Sequence, residues 1–502
     1  MKRILTIAIA SILIVGILCA LAGCGETVVK DGLSAYDIAV KNGFSGTEKQ
    51  WLESLKEGES AYDIAIKNGY EGTEEEWLAS LNGKDGTNGT NGKDGEDATF
   101  TINDVYEAYK TAYQEENGTE YTGTFGEFLE QYFADAYRST SREGMVAEAV
   151  FSCLSVYSYF EGFSSPNGGA GIIYKLDKTT GSAYILTNYH VVYNKSASPQ
   201  ISEDIVLLMY GQERVPNEEG TDYKYGIPAT YIGGSMKLDV AVLYVENSEV
   251  LKNSNAKEVV LGDSNELSMG QDAIAIGNPA GNGVAVTNGI VSVDSEFNRM
   301  YAADGTTVVN FRVIRIDTAI NGGNSGGGLF DAYGRLIGIV HAKVNSSAAE
   351  NIAYAIPINI AVYTADGLIE RFEKAGKVGA YAASKCLLGI TISLTDSYAY
   401  YDTTEKRVRV VETVAISEDV AETAAAYGKL QKGDVIKKIT IVNTATGETR
   451  AELNATRTFI VVDSMLLARE GDTIYVEYER GGETATAEIV VTSTTEIDSI
   501  GN

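Results

Sequence analysis

The stretch Asp317-Thr-Ala-Ile-Asn-Gly-Gly-Asn-Ser-Gly-Gly-Gly-Leu-Phe330 places one serine, Ser325, among five glycines. Such a turn presents a hydroxyl beside unobstructed backbone N–H groups, because glycine has no side chain to cover them. A serine hydroxyl is a weak nucleophile alone and needs a general base that a third group orients. Ser325 is therefore a candidate nucleophile, and the alternative is a glycine-rich hairpin without chemistry.

The candidates for the base are few, because the chain contains two histidines, His190 and His341. His190 lies in the apolar run 183–192, which we predict to be a buried strand that ends at the histidine. Asp239 stands at the edge of a second apolar strand, where a buried carboxylate could orient the base. The pattern predicts Ser325, His190 and Asp239 as a catalytic triad.

Several motifs surround these residues in a fixed order. They are Thr187-Asn-Tyr-His-Val-Val192, Asp239-Val-Ala-Val-Leu243, Gly277-Asn-Pro-Ala-Gly281, Gly323-Asn-Ser-Gly-Gly327 and Asn351-Ile-Ala-Tyr-Ala-Ile-Pro-Ile-Asn359. In this order the chain resembles the HtrA family of chymotrypsin-like serine proteases. The resemblance implies a double β-barrel with the active site in the cleft and no cofactor. It also implies an oxyanion hole formed by the backbone N–H groups of Gly323 and Ser325.

The resemblance also assigns a substrate pocket. It places Ala319 and Ile320 in the primary specificity pocket, with the strand that carries His341 and Ala342 as one wall. A Lys or Arg side chain would lose its hydration there without meeting a charged partner. We therefore expect small or medium aliphatic residues to be preferred.

His341 departs most from the family, which usually has a small polar residue at this strand position. Strand alternation sends Ile339 and His341 to one face. If that face meets the triad, neutral His341 can donate a hydrogen bond to Asp239, and its charge change would overlap that of His190. The acid limb of the kcat/KM profile would then be steeper than one ionisation allows. The alternative is a hydrogen-bonded core residue.

Short apolar strands with glycine-rich turns begin near residue 145 and indicate a mainly β architecture. We predict a protease domain over 145–357 and a linker over 358–382 that contains a helix from Ile358 to Lys374. Residues 383–495 resemble an α+β PDZ domain. The peptide-carboxylate loop of this domain would be Leu387, Leu388, Gly389 and Ile390. The alternative is a generic α+β domain that packs on the protease.

The N-terminus carries a targeting signal. A basic start and an apolar run lead to Leu21-Ala-Gly-Cys24, which resembles a bacterial lipoprotein signal. Residues 1–23 would be removed and Cys24 lipidated, which anchors the body on the extracytoplasmic face of a membrane. An uncleaved transmembrane anchor is the alternative.

Residues 24–144 contain a repeat. The segment 34–55 returns as 60–81 with a tryptophan at the same place in each copy, which predicts small helical units. These units resemble repeats of Gram-positive surface proteins, with adhesion or spacing as their role. Glycine recurs every third residue in 83–97, and we favour a flexible linker over a collagen-like stalk because the run is short and lacks proline.

Charge and cysteine content exclude several functions. With 40 basic and 69 acidic residues the net charge is −29, which argues against a nucleic-acid partner. No Cys/His cluster or phosphate loop predicts a metal or cofactor. Cys153 and Cys386 are expected to be buried small hydrophobes.

The prediction is a lipid-anchored HtrA-like endopeptidase that cleaves unfolded or damaged proteins and holds peptide C-termini at its PDZ-like domain. By resemblance it would form a homotrimer or a larger assembly. The alternative is a surface adhesion or chaperone module whose protease domain is idle.

Overall fold

The computed structural model describes residues 110–111, 142–212, 224–278, 283–343, 352–403 and 405–497. The predicted lipoprotein signal, Cys24 and nearly all of the repeat region therefore lie outside the described residues. The chain divides into two units, Met1–Ala136 and Tyr137–Asn502, and the description concerns the second. No helix in the described ranges is long and apolar enough to cross a bilayer.

The first barrel follows a short helix, α1 (Arg142–Ala149), and a 3-10 turn (Val150–Ser152). The run 149–159 predicts one strand from the sequence, but the strand begins only at Cys153. Its strands are β1 (Cys153–Tyr159), β2 (Asn167–Asp177), β3 (Ser182–Thr187), β4 (Asp204–Met209), β5 (Ile227–Ser235) and β6 (Val240–Val245). They run in the order β5-β4-β1-β2-β3-β6, and β5 also pairs with β6, which closes a six-stranded barrel. Leu154, Ile185, Leu207 and Leu243 fill its core.

Two short helices lie in the connections of this barrel. They are α2 (Tyr189–Val192) and α3 (Glu249–Asn253). The side chain of Ser248 accepts a hydrogen bond from the backbone N–H of Leu251 and so caps α3.

The second barrel is also closed and six-stranded. It contains β7 (Asp272–Gly277), β8 (Ala285–Tyr301), β9 (Val308–Ile316), β10 (Gly328–Phe330), β11 (Leu336–Lys343) and β12 (Ala353–Pro357), in the order β10-β11-β12-β9-β8-β7. Val291, Ile314, Leu329 and Val340 pack in its interior. The double β-barrel that the resemblance implies is therefore present, with six strands in each barrel.

The predicted linker helix is confirmed as α4 (Ile358–Lys374). Its apolar stripe, which includes Ile360, Leu368 and Phe372, is buried against β5, β6 and β11, so the helix lies on both barrels. The chain then adds the short strand β13 (Tyr381–Ala382) parallel to β5.

The C-terminal region is an α+β domain. Its elements are β14 (Lys385–Cys386), β15 (Ile392–Asp402), β16 (Arg407–Ile416), β17 (Val435–Asn443), β18 (Thr449–Asn454), α5 (Thr458–Ser464), β19 (Asp472–Arg480), β20 (Glu483–Val490) and β21 (Glu496–Ile497). The sheet order is β15-β16-β17-β19-β20, β18 pairs with β17, and β14 pairs with β21. The sequence pattern predicts a short helix before Leu430 and a longer one near Thr458 to Arg469, but residues 417–434 form turns and α5 ends at Ser464.

Buried polar contacts join this domain to the second barrel. Arg312 of β9 is 1% exposed, and its Nη1 donates to Oδ2 of Asp463 on α5 at 2.9 Å. The guanidinium also lies 3.4 Å from the ring centroid of Phe459 and donates to the carbonyl of Ser264 at 2.6 Å. The C-terminal domain is thus docked on the protease through a desolvated ion pair.

The two cysteines of the described region are free and buried, as predicted. Cys153 is 1% exposed and Cys386 is 0% exposed. Burial raises the pKa of the Cys153 thiol far above its ordinary value, so the side chain packs as an unreactive neutral group.

Candidate active site

His190 does not end a strand, as the apolar run suggested, but lies in the first turn of α2. The strand β3 stops at Thr187 because the next two residues bond to another part of the chain. The side chain of Asn188 donates to the carbonyl of Asp239 at 2.9 Å, and the N–H of Tyr189 donates to the same oxygen at 3.2 Å. These tertiary bonds turn the chain into a helix and place the imidazole beside Asp239.

Asp239 lies one residue before β6 and adopts a φ of 54°. The residue is 3% exposed. Its Oδ1 accepts the backbone N–H of His190 at 2.9 Å, and its Oδ2 lies 2.7 Å from His190 Nδ1. The carboxylate therefore fixes both the backbone and the ring of the candidate base, as the triad prediction requires.

The electrostatics of this pair favour an ionised acid. Burial would raise the pKa of the Asp239 carboxyl, but the charge and hydrogen bond of His190 and the hydrogen bond of His341 hold that pKa far below its usual range. Burial would lower the pKa of His190, yet the charge and hydrogen bond of Asp239 outweigh burial and raise it. Asp239 thus stabilises a positive charge on His190.

The turn that carries Ser325, residues 321–327, is called the nucleophile turn and is held between the two barrels. Ala170 of β2 donates its N–H to the carbonyl of Ser325 at 2.9 Å, and Gly326 donates to the carbonyl of Val340 at 2.9 Å. Gly326 has a φ of 84°, and a Cβ there would lie 2.2 Å from the carbonyl oxygen of Ala170. Glycine is therefore required at this position for both conformation and space.

The two residues predicted to form the oxyanion hole, Gly323 and Ser325, lie in this turn, and their role stays a prediction. The N–H of Asn324 donates to the carbonyl of Asn321 at 3.1 Å, and Gly323 has a φ of 96°. Within the described residues, the N–H groups of Gly323 and Ser325 have no hydrogen-bond acceptor. Two backbone donors beside one hydroxyl are the arrangement that an oxyanion needs.

Asn278 supports this turn, and the sequence reasoning assigned it no role although its motif was noted. Asn278 is 0% exposed, and its N–H donates to the carbonyl of Gly323 at 3.2 Å. Its side-chain amide donates to the hydroxyl of Tyr157 at 3.2 Å and to the carbonyl of Gly169 at 3.1 Å. Asn278, which follows β7 of the second barrel, therefore connects the nucleophile turn to the first barrel as well.

The hydroxyl of Ser325 donates to the backbone carbonyl of His341 at 3.1 Å. Among the described contacts, no hydrogen bond joins this hydroxyl to His190. Catalytic hydrogen bonds are often loose without substrate and tighten in the Michaelis complex. Rotation of the Ser325 side chain toward His190 is the step that would engage the nucleophile.

His341 contacts the carboxylate of Asp239, which is the condition under which the sequence allows it to donate a hydrogen bond to that acid. Its Nδ1 lies 2.7 Å from Oδ2 of Asp239. The pairing of β11 with β12 shifts register between Val340 and Ala342, so His341 occupies a β-bulge. Bulges re-aim a side chain. The predicted steeper acid limb stays a prediction.

The substrate-pocket residues are distributed unevenly. Ala319 is exposed, whereas Ile320 is only 4% exposed and packs in the core of the second barrel. Ala342 lies in β11. The imidazole of His341 contacts Asp239 rather than an open pocket, so any contact of His341 with substrate would come from its backbone. The pocket assignment itself stays a prediction.

The prediction of a peptide-carboxylate loop in the C-terminal domain needs one correction. Leu387 donates its N–H to the carbonyl of Thr495 at 2.8 Å, so this group is already used. Leu388, Gly389 and Ile390 have backbone N–H groups with no acceptor among the described residues, and Gly389 has a φ of 72°. The role of the loop stays a prediction that now rests on these three residues.

The side chains of His190, Asp239 and His341 could together ligate a cation. The ligand atoms of His190, Asp239 and His341 lie within 4.8 Å of one another. In the geometry described, however, both Nδ1 atoms face the carboxylate at hydrogen-bond distance. An imidazole that acts as general base at Nε2 needs its proton on Nδ1, so metal ligation at Nδ1 would compete with catalysis.

Two closed barrels, a histidine oriented by a buried carboxylate and a serine beside free N–H groups define a trypsin-like serine peptidase. A family model described as "Trypsin-like peptidase domain" matches residues 169–339. "Serine protease Do-like HtrA" of Lactococcus lactis subsp. cremoris strain MG1363 is 31% identical over 346 residues, which span 67% of this chain and 73% of that protein. The chain belongs to the HtrA family of serine proteases and is a serine endopeptidase.

The chain is also similar to two further proteins. "Serine protease Do-like HtrA" of Bacillus subtilis strain 168 is 35% identical over 205 residues, or 40% of this chain and 39% of that protein. The solved structure titled "HtrA-type protease AlgW with tripeptide" is 24% identical, covers 69% of this chain and 95% of that chain, and has a TM-score of 0.42.

Proposed function

We propose that this endopeptidase cleaves unfolded or damaged proteins outside the cytoplasm by a Ser-His-Asp acyl-enzyme mechanism. The mechanism rests on two hydrogen bonds in which the Asp239 carboxylate accepts the backbone N–H and the Nδ1–H of His190. These two bonds leave Nε2 of His190 as the free basic atom. A protein that used this cleft only for binding would not need an oriented base.

In the first half of the reaction, His190 Nε2 takes the proton of Ser325 while the hydroxyl oxygen attacks a peptide carbonyl. Asp239 stabilises the imidazolium that forms. The N–H groups of Gly323 and Ser325 would bind the oxyanion, and loss of one such donor costs about 10²-fold or more in kcat. His190 then donates the proton to the departing amine, and an acyl ester remains on Ser325.

Water completes the cycle with the roles repeated. His190 takes a proton from water, which attacks the ester, and the second tetrahedral intermediate again places its oxyanion at Gly323 and Ser325. Collapse of this intermediate returns the proton to Ser325 and releases the carboxylate product. No step requires a metal or an organic cofactor.

The substrate class and location rest on the rest of the sequence. The lipoprotein-like signal that ends at Cys24 supports an anchored enzyme outside the cytoplasm. The free N–H groups of Leu388, Gly389 and Ile390 support capture of a peptide carboxylate at the PDZ-like domain. An uncharged Ala319 beside the nucleophile turn supports cleavage after small or medium aliphatic residues.

Fluorophosphonate labelling tests this proposal, because the reagent reacts only with an activated serine. The wild type should be labelled, Ser325→Ala should not, and the exposed Ser196→Ala should behave as the wild type. The labelling is repeated with unfolded casein present, since Ser325 donates to the His341 carbonyl without substrate. Absence of labelling and of casein cleavage in the wild type would favour the idle adhesion or chaperone module.

A further inference from the structure

One oxygen of the catalytic carboxylate accepts from two imidazoles. Asp239 Oδ2 lies 2.7 Å from His190 Nδ1 and 2.7 Å from His341 Nδ1. An ionised carboxylate can only accept hydrogen bonds, so each Nδ1 must carry a proton. With the His190 backbone N–H on Oδ1, the buried acid accepts three N–H groups.

The other side of the His341 ring is apolar. His341 is 8% exposed, its ring centroid lies 5.7 Å from that of Phe311, and its Nε2 has no partner among the described residues. A protonated Nε2 would be a buried donor without an acceptor, which is costly. In this geometry His341 is therefore a neutral donor.

We propose that His341 is a positioning residue that holds the carboxylate of Asp239 in the orientation in which it directs His190. The bulge at His341 aims the imidazole at Oδ2, and Phe311 packs against the ring to fix its plane. This inference rests on the proposed function, because Asp239 needs an exact rotamer only if His190 acts as a base.

The backbone of the same residue adds a second contact with the triad. The carbonyl of His341 accepts the hydroxyl of Ser325 at 3.1 Å. Val340 also exchanges hydrogen bonds with Gly326 and Gly327. The bulged segment of β11 therefore contacts both the nucleophile turn and the carboxylate of Asp239. A shift of this segment would move Ser325 and Asp239 together.

The groups that act on this network are few. Among the described residues, those that perturb the Asp239 carboxyl are His190 and His341, and the one that perturbs His190 is Asp239. Without the Nδ1–H of His341, the Asp239 carboxylate is less neutralised and stabilises the imidazolium of His190 more strongly. The acid limb of kcat/KM should then move to higher pH, which a purely structural role would not produce.

The chain offers an unusually clean spectroscopic test, because its two histidines are both in the site. Histidine-selective ¹⁵N labelling of Ser325→Ala therefore reports on these two rings alone. We expect both neutral rings to carry their proton on Nδ1, with two low-field N–H protons. A His341 ring protonated at Nε2 would overturn the proposal, and this outcome does not depend on activity.

A matched pair of variants tests the role. His341→Leu removes the donor and keeps an apolar side chain, whereas His341→Asn can place its amide N–H close to the position of Nδ1. We expect kcat to fall roughly tenfold in His341→Leu with KM within about twofold of wild type, since a hydrogen bond to a charged group is lost. In His341→Asn, kcat should recover to within about threefold of wild type, with the wild-type acid limb.

Thermal melting of both variants shows whether each is folded before kinetics are read. Full activity in a folded His341→Leu, or equal loss of kcat in both variants, overturns the proposal. If His341→Leu does not fold, the ¹⁵N spectrum of Ser325→Ala decides alone. Inactivity of the wild type together with two Nδ1–H rings would instead refute the proposed function and leave the hydrogen-bond assignment intact.

Discussion

Asp239 and Asp463 are two buried carboxylates that the chain satisfies in different ways. Asp239 is 3% exposed and accepts three N–H groups, two from imidazoles and one from the backbone. Asp463 is 5% exposed and pairs with Nη1 of Arg312 at 2.9 Å. The first carboxylate orients the imidazole of His190, and the second joins two domains.

The pKa values of these carboxyls move in opposite directions. Burial would raise both, but the hydrogen bonds and charge around Asp239 bring its pKa far below the usual range. At Asp463 burial prevails and raises the pKa, although Arg312 and Lys385 act against it. Burial alone therefore does not decide whether an acid stays ionised. At Asp239 the charge of His190, together with the hydrogen bonds of both imidazoles, outweighs burial.

Asp239→Asn should give the largest effect of any change to either carboxylate. Because Oδ1 accepts the His190 backbone N–H, the amide nitrogen takes the position of Oδ2 and faces both imidazoles as a donor, so His190 no longer keeps its proton on Nδ1. We expect kcat on a short peptide to fall about 10⁴-fold. Measured kcat within tenfold of wild type would show that the hydrogen bonds of Asp239 are not used for catalysis.

Asp463→Asn should act on stability instead. It leaves the 1%-exposed Arg312 without a charged partner, which typically costs about 3–5 kcal/mol. We expect a corresponding loss in urea unfolding, while the folded fraction keeps its kcat on a short peptide. The double variant Arg312→Met, Asp463→Leu is the control, because replacing a buried pair by apolar groups is often neutral or stabilising. Equal losses in the single and double variants would contradict a desolvated pair.

The surroundings of Asp239 could be predicted from the sequence to a larger extent than those of Asp463. The three candidate triad residues were accessible because they stand in short motifs, whereas the contact of His341 with Asp239 depends on a β-bulge that the sequence pattern does not predict. Arg312 and Asp463 are 151 residues apart, and neither stands in a distinctive motif. Arg312 interrupts an apolar run that reads as an ordinary strand. Only the docking of the domains brings the two residues together.

Tertiary bonds also explain why α2 was missed. The run 183–192 is apolar throughout and reads as one strand. The strand ends at Thr187 because Asn188 and Tyr189 bond the carbonyl of Asp239, which comes about fifty residues later in the chain. Asn278 has a similar explanation, since its partners Tyr157, Gly169 and Gly323 come from three separate segments. Periodicity within a short window contains no information on such bonds.

The smallest expected effect is a displacement of the pH profile. Burial would lower the pKa of His190, but Asp239 outweighs it and raises that pKa above the ordinary value of 6.5. Because imidazolium cannot take the Ser325 proton, the acid limb of kcat/KM should be centred above 6.5. The raised folded-state pKa also means that this group stabilises the fold fully below its unfolded pKa and less as pH rises through its folded pKa. Activity should therefore rise over the window in which the His190 contribution to stability is lost.

The variant Arg312→Met, Asp463→Leu should keep the acid limb at the same pH, since neither residue contacts His190. In Asp239→Asn the residual activity should show a limb at lower pH, because burial then acts without the opposing charge. A wild-type limb centred below 6.5 would mean that burial, and not Asp239, sets the charge of the catalytic base.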